Sequence, residues 1–300
     1  MNIQYFLKSK AKKIKIALIL TSISAILMPV LCTILKSQKV NADEQNEKFT
    51  VELPVIMYHL ILKNPKNKNK FTIAQSTFEE DLKYIKSNGY TTVSIKNLID
   101  FTEGKENLPP KPILLTFDDG AYNNYLYAFP LAKKYKAKFV FSPIAHETEK
   151  FSEIDDENPN YSHANWDQIK EMSDSGLVEI QNHTYNMHSR KKPRIGCTKK
   201  FGESDEAYEK NLSQDIKKSQ DLIEQHTGKR PCAFFYPFGA RGKNSEKIIK
   251  SLGFKATFVC ESKVNKLTID PNCLYSMGRF LRTPNMSSEK FFSQFEDKIK

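Results

Sequence analysis

Residues 112–120 read PILLTFDDG, an apolar run that ends in two adjacent carboxylates and a glycine. A continuous apolar run of this length is typical of a strand that is buried on both faces of a parallel sheet. Successive side chains of a strand point to opposite faces, so Asp118 and Asp119 are predicted to have different roles, one as a metal ligand and one as a free base. A simple Asp-Asp-Gly turn is the alternative interpretation.

Other predicted strands and helices alternate along the chain on both sides of this run. Short apolar runs predict strands at residues 53–58, 91–95, 112–117, 138–142, 177–182, 231–236 and 255–260. Capping residues and apolar residues at helical spacing predict helices at residues 76–89, 125–135, 165–176, 206–227, 245–252 and 288–300. Residues 147–162 are predicted to form a polar, acidic loop. The alternation predicts an α/β fold whose parallel sheet is open or closed into a barrel, with helices outside.

Chemically useful side chains follow four of these strands directly. His59 follows residues 53–58, Asp118 and Asp119 follow residues 112–117, His183 follows residues 177–182, and Phe238 follows residues 231–236. The carboxyl ends of barrel strands meet on one face, where such folds build their active sites. We therefore expect these four clusters to lie together.

His183 and His188 are two imidazoles only five residues apart. On a helix they would point about 140° apart, so the spacing predicts a loop. With one carboxylate they provide three ligands for a divalent ion that keeps open positions for water. Zn²⁺ is the expected ion, and Co²⁺, Ni²⁺ and Fe²⁺ are alternatives, because these ligand types accept all of them. Ordinary surface or capping histidines are the alternative interpretation, which we adopt for His146, His163 and His226.

The first 42 residues predict a targeting segment. Five lysines precede residues 16–35, an uncharged apolar run long enough to cross a bilayer, and they place the N-terminus in the cytoplasm. The run is either a signal peptide cleaved after Val40-Asn41-Ala42 or a membrane anchor. Both alternatives predict an extracellular or cell-surface protein. We divide the remainder into a linker, residues 43–50, and one domain, residues 51–300.

The charge is concentrated in the targeting segment. Seven of the formal +11 charges belong to lysines of residues 1–42, which contain no acid, so residues 43–300 carry only +4. A weakly basic domain is compatible with an anionic cell-wall polymer, and no nucleic-acid partner is predicted. The four cysteines of this part of the chain lack the close spacing of a cysteine zinc site.

Three motifs together resemble the polysaccharide deacetylases of carbohydrate esterase family 4. They are residues 116–120 (TFDDG), the pair His183 and His188, and residues 234–239 (FFYPFG). Residues 54–59 (PVIMYH) and 71–94 are similar to the branch that contains poly-N-acetylglucosamine deacetylases. The resemblance implies a distorted (β/α) barrel that hydrolyses, with a metal, the N-acetyl groups of N-acetylglucosamine units in an extracellular polysaccharide. Peptidoglycan, poly-N-acetylglucosamine and chitin-like polymers are the candidate substrates.

Carried over to this sequence, the resemblance implies a role for each motif residue. Asp119, His183 and His188 would bind the metal, Asp118 would be the general base, and the backbone N–H of Phe238 would help to form the oxyanion hole. The family's C-terminal Leu-x-x-His motif is missing, because no histidine follows His226. The resembled branch takes its general acid from the N-terminal strand, and this implies His59.

The sequence also offers candidates for two further roles, one in holding the base and one in binding sugar rings. The arginine that usually holds the base is replaced by Phe235, and Arg230 is the upstream candidate for its role. Tyr122, Tyr185 and Tyr236 are candidates to stack on sugar rings, with ordinary packing as the alternative. The competing functions are a catalytically inactive wall-glycan-binding module on the same fold and a metal-dependent amidase for a small acylated compound.

Overall fold

The computed structural model describes residues 50–65, 69–154, 156–297 and 299. The predicted targeting segment and most of the predicted linker lie outside these residues. Within the described part of the chain, no helix combines the length and hydrophobicity that a bilayer crossing requires.

Short strands and helices alternate along the described chain. The strands are β1 (Val51–Leu53), β2 (Val55–Tyr58), β3 (Leu60–Leu62), β4 (Thr72–Ala74), β5 (Thr91–Thr92), β6 (Pro112–Asp119), β7 (Phe139–Pro143), β8 (Val178–Ile180), β9 (Ala233–Phe235), β10 (Ala256–Phe258), β11 (Asn265–Leu267) and β12 (Phe280–Leu281). The α-helices are α1 (Gln75–Ser87), α2 (Ile95–Thr102), α3 (Phe129–Tyr135), α4 (Ala145–Ile154), α5 (Trp166–Asp174), α6 (Asp205–Thr227), α7 (Ser245–Ser251) and α8 (Ser288–Glu296).

A parallel sheet forms the centre of the fold. Its strands follow the order β12-β2-β6-β7-β8, and β5 pairs with the start of β6. The eight residues of β6 are the longest strand among the described residues, and seven of them are buried. Leu115 and Phe117 pack in one apolar cluster and Leu114 packs in another, so β6 is covered on both faces. The predicted parallel α/β architecture is confirmed.

The predicted closure into a barrel is not observed among the described strands. Strands β9 and β10 form a separate parallel pair. Single bridges, Asn182–Phe234 on one side and Phe258–Met277 on the other, join this pair to its neighbours. The ladder cannot lengthen there, because the chain leaves strand geometry at Thr184, with φ +76°, and at Phe238, with φ +59°.

Two local predictions need correction. Residues 91–95 form a strand only at Thr91–Thr92, because Ser94 and Asn97 make a reciprocal capping box that begins α2 at Ile95. The predicted loop at residues 147–162 begins as α4, whose buried residues Ala145, Thr148 and Phe151 recur at helical spacing. The six predicted helices are all present, with shifted ends.

Candidate functional site

The carboxyl ends of four strands open into one cavity of about 480 Å³. Six of the residues that line it were singled out in the sequence: His59 after β2, Asp118 and Asp119 at the end of β6, His183 and His188 after β8, and Phe238 after β9. Parallel strands deliver their carboxyl ends to one edge, so residues far apart in sequence meet there.

Asp119, His183 and His188 form a cluster in which one ligand atom of each residue lies within 4.8 Å of the others. The Oδ1 atom of Asp119 is 3.3 Å from Nε2 of His183 and 3.1 Å from Nε2 of His188. Burial raises the pKa of Asp119, but the two histidines outweigh it and hold the pKa well below its usual value. Asp119 has φ +70° and Gly120 has φ +80°, a turn that aims the carboxylate at the histidines.

The donor atoms of this cluster fit a divalent cation. His183 Nδ1 lies 2.8 Å from the carbonyl oxygen of Phe235, which can only accept, so Nδ1 carries the proton. In neutral His183 the lone pair of Nε2 then faces Asp119 Oδ1, a buried oxygen without a hydrogen-bond partner among the described residues. Facing acceptors repel unless a proton or a metal cation lies between them. The carbonyl that orients His183 is the usual second contact of a metal-binding histidine.

Asp118 is held in the same cavity by a buried arginine. Both of its carboxylate oxygens accept from Arg279, Oδ1 from Nη1 at 2.7 Å and Oδ2 from Nη2 at 2.8 Å. The hydroxyl of Ser142 donates a further hydrogen bond to Oδ1 at 3.0 Å. Burial raises the pKa of Asp118, but the positive charge of Arg279 outweighs it and lowers the pKa to about 2. Asp118 is therefore an ionised, oriented carboxylate at neutral pH.

Arg279 takes the position for which Arg230 was the candidate. Arg230 instead binds Asp221, Glu224 and Gln220 on α6, and its hydrogen bonds do not include Asp118. The physical reason is that Arg230 precedes β9, at the opposite end of the strand from the cavity. A sequence signal for Arg279 did exist: it is the one charged residue in the apolar stretch 277–281 (MGRFL), and a charge in such a stretch calls for a buried partner.

His59 lines the same cavity as Asp118. Its ring packs against Phe71 with a centroid distance of 4.8 Å, and Nδ1 is buried without a partner among the described residues. The side chain of Asn124 donates to the His59 carbonyl at 2.7 Å and fixes the backbone. Burial lowers the pKa of His59, and the attraction of Asp118 and Asp119 offsets only part of that effect.

Phe238 lies in a 3-10 turn, Pro237–Gly239, with left-handed backbone angles of φ 59° and ψ 9°. Such angles are strained for a bulky residue and persist only where the surroundings impose them. Its ring packs on His188 at 4.3 Å and under the guanidinium of Arg190 at 4.6 Å. A side chain at Gly239 would come within 2.9 Å of the Cys260 backbone nitrogen, so this turn passes close to the chain after β10.

The predicted sugar-stacking tyrosines do not line this cavity. Tyr236 is fully buried and packs edge-on against Phe234, and Tyr122 is buried and donates to Glu157 at 3.2 Å. Both predictions are corrected, because a buried ring offers no face to a polymer. Tyr185 is half-buried and lines a neighbouring groove, where Lys218 lies 3.5 Å from its ring centroid.

Comparison with known proteins supports the resemblance seen in the motifs. The family model described as polysaccharide deacetylase matches residues 105–257. The poly-beta-1,6-N-acetyl-D-glucosamine N-deacetylase of Escherichia coli is 24% identical over 257 residues, which are 80% of this chain and 38% of that protein. Its namesake in Staphylococcus aureus is 27% identical over 196 residues, 64% of this chain and 62% of the relative. The chain thus spans less than two thirds of the length of these relatives.

Solved structures share the fold. A de-N-acetylase from Aggregatibacter actinomycetemcomitans superposes with a TM-score of 0.69 and 28% identity, covering 82% of this chain and 99% of that one. IcaB from Ammonifex degensii superposes with a TM-score of 0.65 and 29% identity, covering 78% and 93%. Because the family model spans half of the chain and these structures match most of it, the protein belongs to the polysaccharide deacetylase family.

Proposed function

We propose that this protein hydrolyses the N-acetyl groups of N-acetylglucosamine units in an extracellular or cell-wall polysaccharide and releases acetate, with a divalent metal ion. The observation that carries the proposal is the single cavity in which Asp119, His183 and His188 converge beside the Asp118–Arg279 pair. The names of the Escherichia coli and Staphylococcus aureus relatives support a polymer of N-acetylglucosamine.

The proposed domain organisation follows from the sequence. Residues 51–300 are the deacetylase domain, residues 43–50 are a linker, and residues 1–42 are a signal peptide or membrane anchor. The lysines and the apolar run of the first segment support an extracellular or cell-surface location.

Asp119, His183 and His188 would hold the metal ion, for which Zn²⁺ is the expected identity. An ion bound there supplies Lewis acidity, which lowers the pKa of water and polarises the acetyl carbonyl. Three protein ligands leave open positions, as catalytic zinc sites require. His183 is fixed by the Phe235 carbonyl, so the ligand set is largely oriented in advance.

Asp118 is the proposed general base. Its carboxylate takes a proton from the attacking water, and the bidentate contact with Arg279 keeps it aimed into the cavity. Because the pKa of Asp118 is about 2, the base is ionised throughout the neutral range.

His59 and Phe238 complete the proposed mechanism. In its protonated form, which its lowered pKa makes the minor form at neutral pH, His59 would give its proton to the leaving nitrogen, which would otherwise depart as a poor amide anion. The backbone N–H of Phe238 donates to the developing oxyanion, a contribution that is typically about 3–4 kcal/mol for one donor. The unusual backbone angles of Phe238 support a role that depends on the direction of its N–H.

Acetate release from N-acetylglucosamine oligomers, peptidoglycan and poly-N-acetylglucosamine tests the proposal. We expect zinc-loaded protein to release acetate, and chelation or Asp119→Ala to abolish both the activity and stoichiometric metal binding. His226→Ala is the matched control, because His226 stacks on Trp166 outside the cavity and should leave metal content unchanged. Metal-loaded protein that releases no acetate from any of these glycans would contradict the proposal.

A further inference from the structure

A basic segment borders the catalytic cavity and has no role in the proposed chemistry. Residues 189–200 (SRKKPRIGCTKK) contain six basic residues and no acid, and they begin directly after His188. Arg194 pairs with Glu203 at 2.5 Å, and Lys199 pairs with Asp205 at 2.6 Å. The other four cations have no carboxylate partner among the described residues; they are Arg190, Lys191, Lys192 and Lys200. We call these four the basic rim.

The basic rim lines two neighbouring spaces, the catalytic cavity and a groove. Arg190 lines the catalytic cavity itself, and Lys191, Lys192 and Lys200 line an adjoining groove of about 520 Å³. One loop therefore forms a wall of both spaces. Lys70 adds a fifth cation on another wall of the catalytic cavity.

The acids that line the two spaces are already engaged. In the catalytic cavity Asp118 is held by Arg279, and Asp119 belongs to the proposed metal site. In the groove Asp215 accepts backbone N–H groups of Tyr185 and Asn186, both at 2.9 Å. Asp215 keeps its negative charge, but it shares the groove with three lysines that have no ion-pair partner among the described residues, so the groove keeps a net positive charge and attracts anions.

This charge has a consequence for the substrate. Deacetylation turns a neutral amide into an ammonium ion, which the basic rim repels. A polymer without negative groups would therefore gain no electrostatic binding energy from these residues. A carboxylate on the polymer would be attracted. The guanidinium of Arg190 lies 4.6 Å from the ring centroid of Phe238 and makes no hydrogen bond to a described residue, so its N–H groups can contact a carboxylate in bidentate fashion. Phe201, fully exposed after Lys200, offers an aromatic face to a sugar ring.

We propose that the basic rim binds an N-acetylated glycan whose repeating unit carries a carboxylate. The carboxylates lie along Arg190 and the groove lysines while an N-acetyl group enters the catalytic cavity. The concave shape of both spaces favours a polymer strand over a flat membrane surface. This inference rests on the proposed deacetylase function and narrows its substrate class.

The first test compares kcat/KM for acetate release on one carboxylated, N-acetylated glycan before and after its carboxyl groups are reduced to alcohols. At low ionic strength we expect a preference of about tenfold for the carboxylated form, weakened by added salt. The triple variant Lys191→Gln/Lys192→Gln/Lys200→Gln and the single variant Arg190→Gln should each lower this preference. The control Lys86→Gln/Lys247→Gln/Lys266→Gln removes three exposed charges elsewhere and should keep it.

Equal kcat/KM values for the two forms, or an equal loss of preference in the control, would overturn the inference while leaving the deacetylase function standing. A second measurement is independent of activity: binding of polygalacturonate, a carboxylated glycan without N-acetyl groups, should weaken about tenfold in the groove triple variant and stay unchanged in the control.

Tighter binding of a phosphorylated glycan or of anionic lipid vesicles, lost in the same triple variant, would assign the surface to phosphate or to a membrane and overturn the proposal. If no glycan yields acetate but polygalacturonate binding depends on the groove lysines, the surface is supported and the deacetylase function fails.

Discussion

Two buried aspartate–arginine pairs use arginines only three residues apart, yet they have different surroundings. Arg279 holds both oxygens of Asp118, and Arg282 holds both oxygens of Asp81, through Nε at 2.8 Å and Nη2 at 3.0 Å. The side chains are between 0% and 3% exposed, so by burial the two pairs are alike.

They differ in what else the carboxylate contacts. Asp81 also accepts from the hydroxyls of Ser288 at 2.6 Å and Tyr58 at 3.1 Å, and so it ties α1 to the start of α8. Asp118 lines the cavity of the candidate site together with Asp119, His183 and His188. Burial raises the pKa of Asp81 above its usual value, whereas Arg279 lowers that of Asp118 to about 2. An aspartate–arginine pair is thus structural when its carboxylate is surrounded by further hydrogen-bond donors. The same kind of pair can take part in a reaction when it borders a cavity.

The largest expected difference between the pairs is in catalysis. Asp118→Asn removes the proposed base and should lower kcat by about 10²–10⁴, the usual contribution of general base catalysis. Asp81→Asn should keep the activity of its folded fraction. Acetate release per metal-loaded, folded molecule measures both. Comparable activity losses in the two variants would remove the distinction between a reactive and a structural pair.

Loss of either arginine should cost stability. Arg279→Met and Arg282→Met each leave a buried carboxylate without its partner, and we expect each to lower the free energy of unfolding by about 3–5 kcal/mol. Denaturant unfolding of metal-free protein measures the change. Arg230→Met, which removes exposed ion pairs only, is the control and should cost less than about 1 kcal/mol. A small effect at Arg279 would mean that water reaches the pair.

A smaller effect on kcat is expected at His59, which lines the same cavity as Asp118. His59→Ala should lower kcat at least about tenfold, because the leaving nitrogen would lose its proton donor. Metal content should be unchanged, since His59 is outside the ligand cluster. His146→Ala, beside Tyr185 and outside the cavity, is the matched control. Near-normal turnover of the His59 variant would refute its assignment as the acid.

The smallest expected effect concerns stability: the contributions of Asp118 and Asp81 to the free energy of unfolding should change in opposite directions as the pH falls. The folded-state pKa of Asp118, about 2, is below the unfolded value of about 3.9, so its stabilisation is present above pH 4 and is lost as the pH falls toward 2. The raised pKa of Asp81 has the reverse sign: its contribution is full below the unfolded pKa and declines as the pH rises through the folded value.

Unfolding free energies of metal-free wild type, Asp118→Asn and Asp81→Asn between about pH 2.5 and 7 measure this response. The difference between wild type and Asp118→Asn should shrink on acidification, and the difference for Asp81→Asn should not. Parallel pH profiles for the two variants would contradict the assignment of opposite pKa shifts.

The site residues that the sequence predicts are those that directly follow a predicted strand. An apolar run followed at once by Asp118 and Asp119, or by His183, is a local pattern, and a parallel sheet then brings such ends together whatever the details of its closure. The loop geometry of His183 and His188 followed from their spacing alone. The residues of the candidate metal site could therefore be predicted from the sequence.

The role of Arg279 could not be predicted by the same argument from strand ends. Arg279 precedes β12, a strand of two residues without a periodic signal, and its partner lies 161 positions away in the chain. The match to the family model ends at residue 257, so no family motif marks this segment. The prediction of a closed barrel was wrong for the described strands, because only single bridges at Asn182 and Phe258 join β9 and β10 to their neighbours, and no local sequence pattern encodes this.

The position of Arg279 near the C-terminal end of the described chain has a consequence for biosynthesis. A nascent or proteolytically clipped polypeptide that stops before this arginine would already contain every proposed metal ligand, but its carboxylate at position 118 would have no counter-ion. Such a fragment would also lack β12, which pairs with β2, and α8, whose phenylalanines belong to the apolar core, so the cavity forms as described only once this segment has joined the fold.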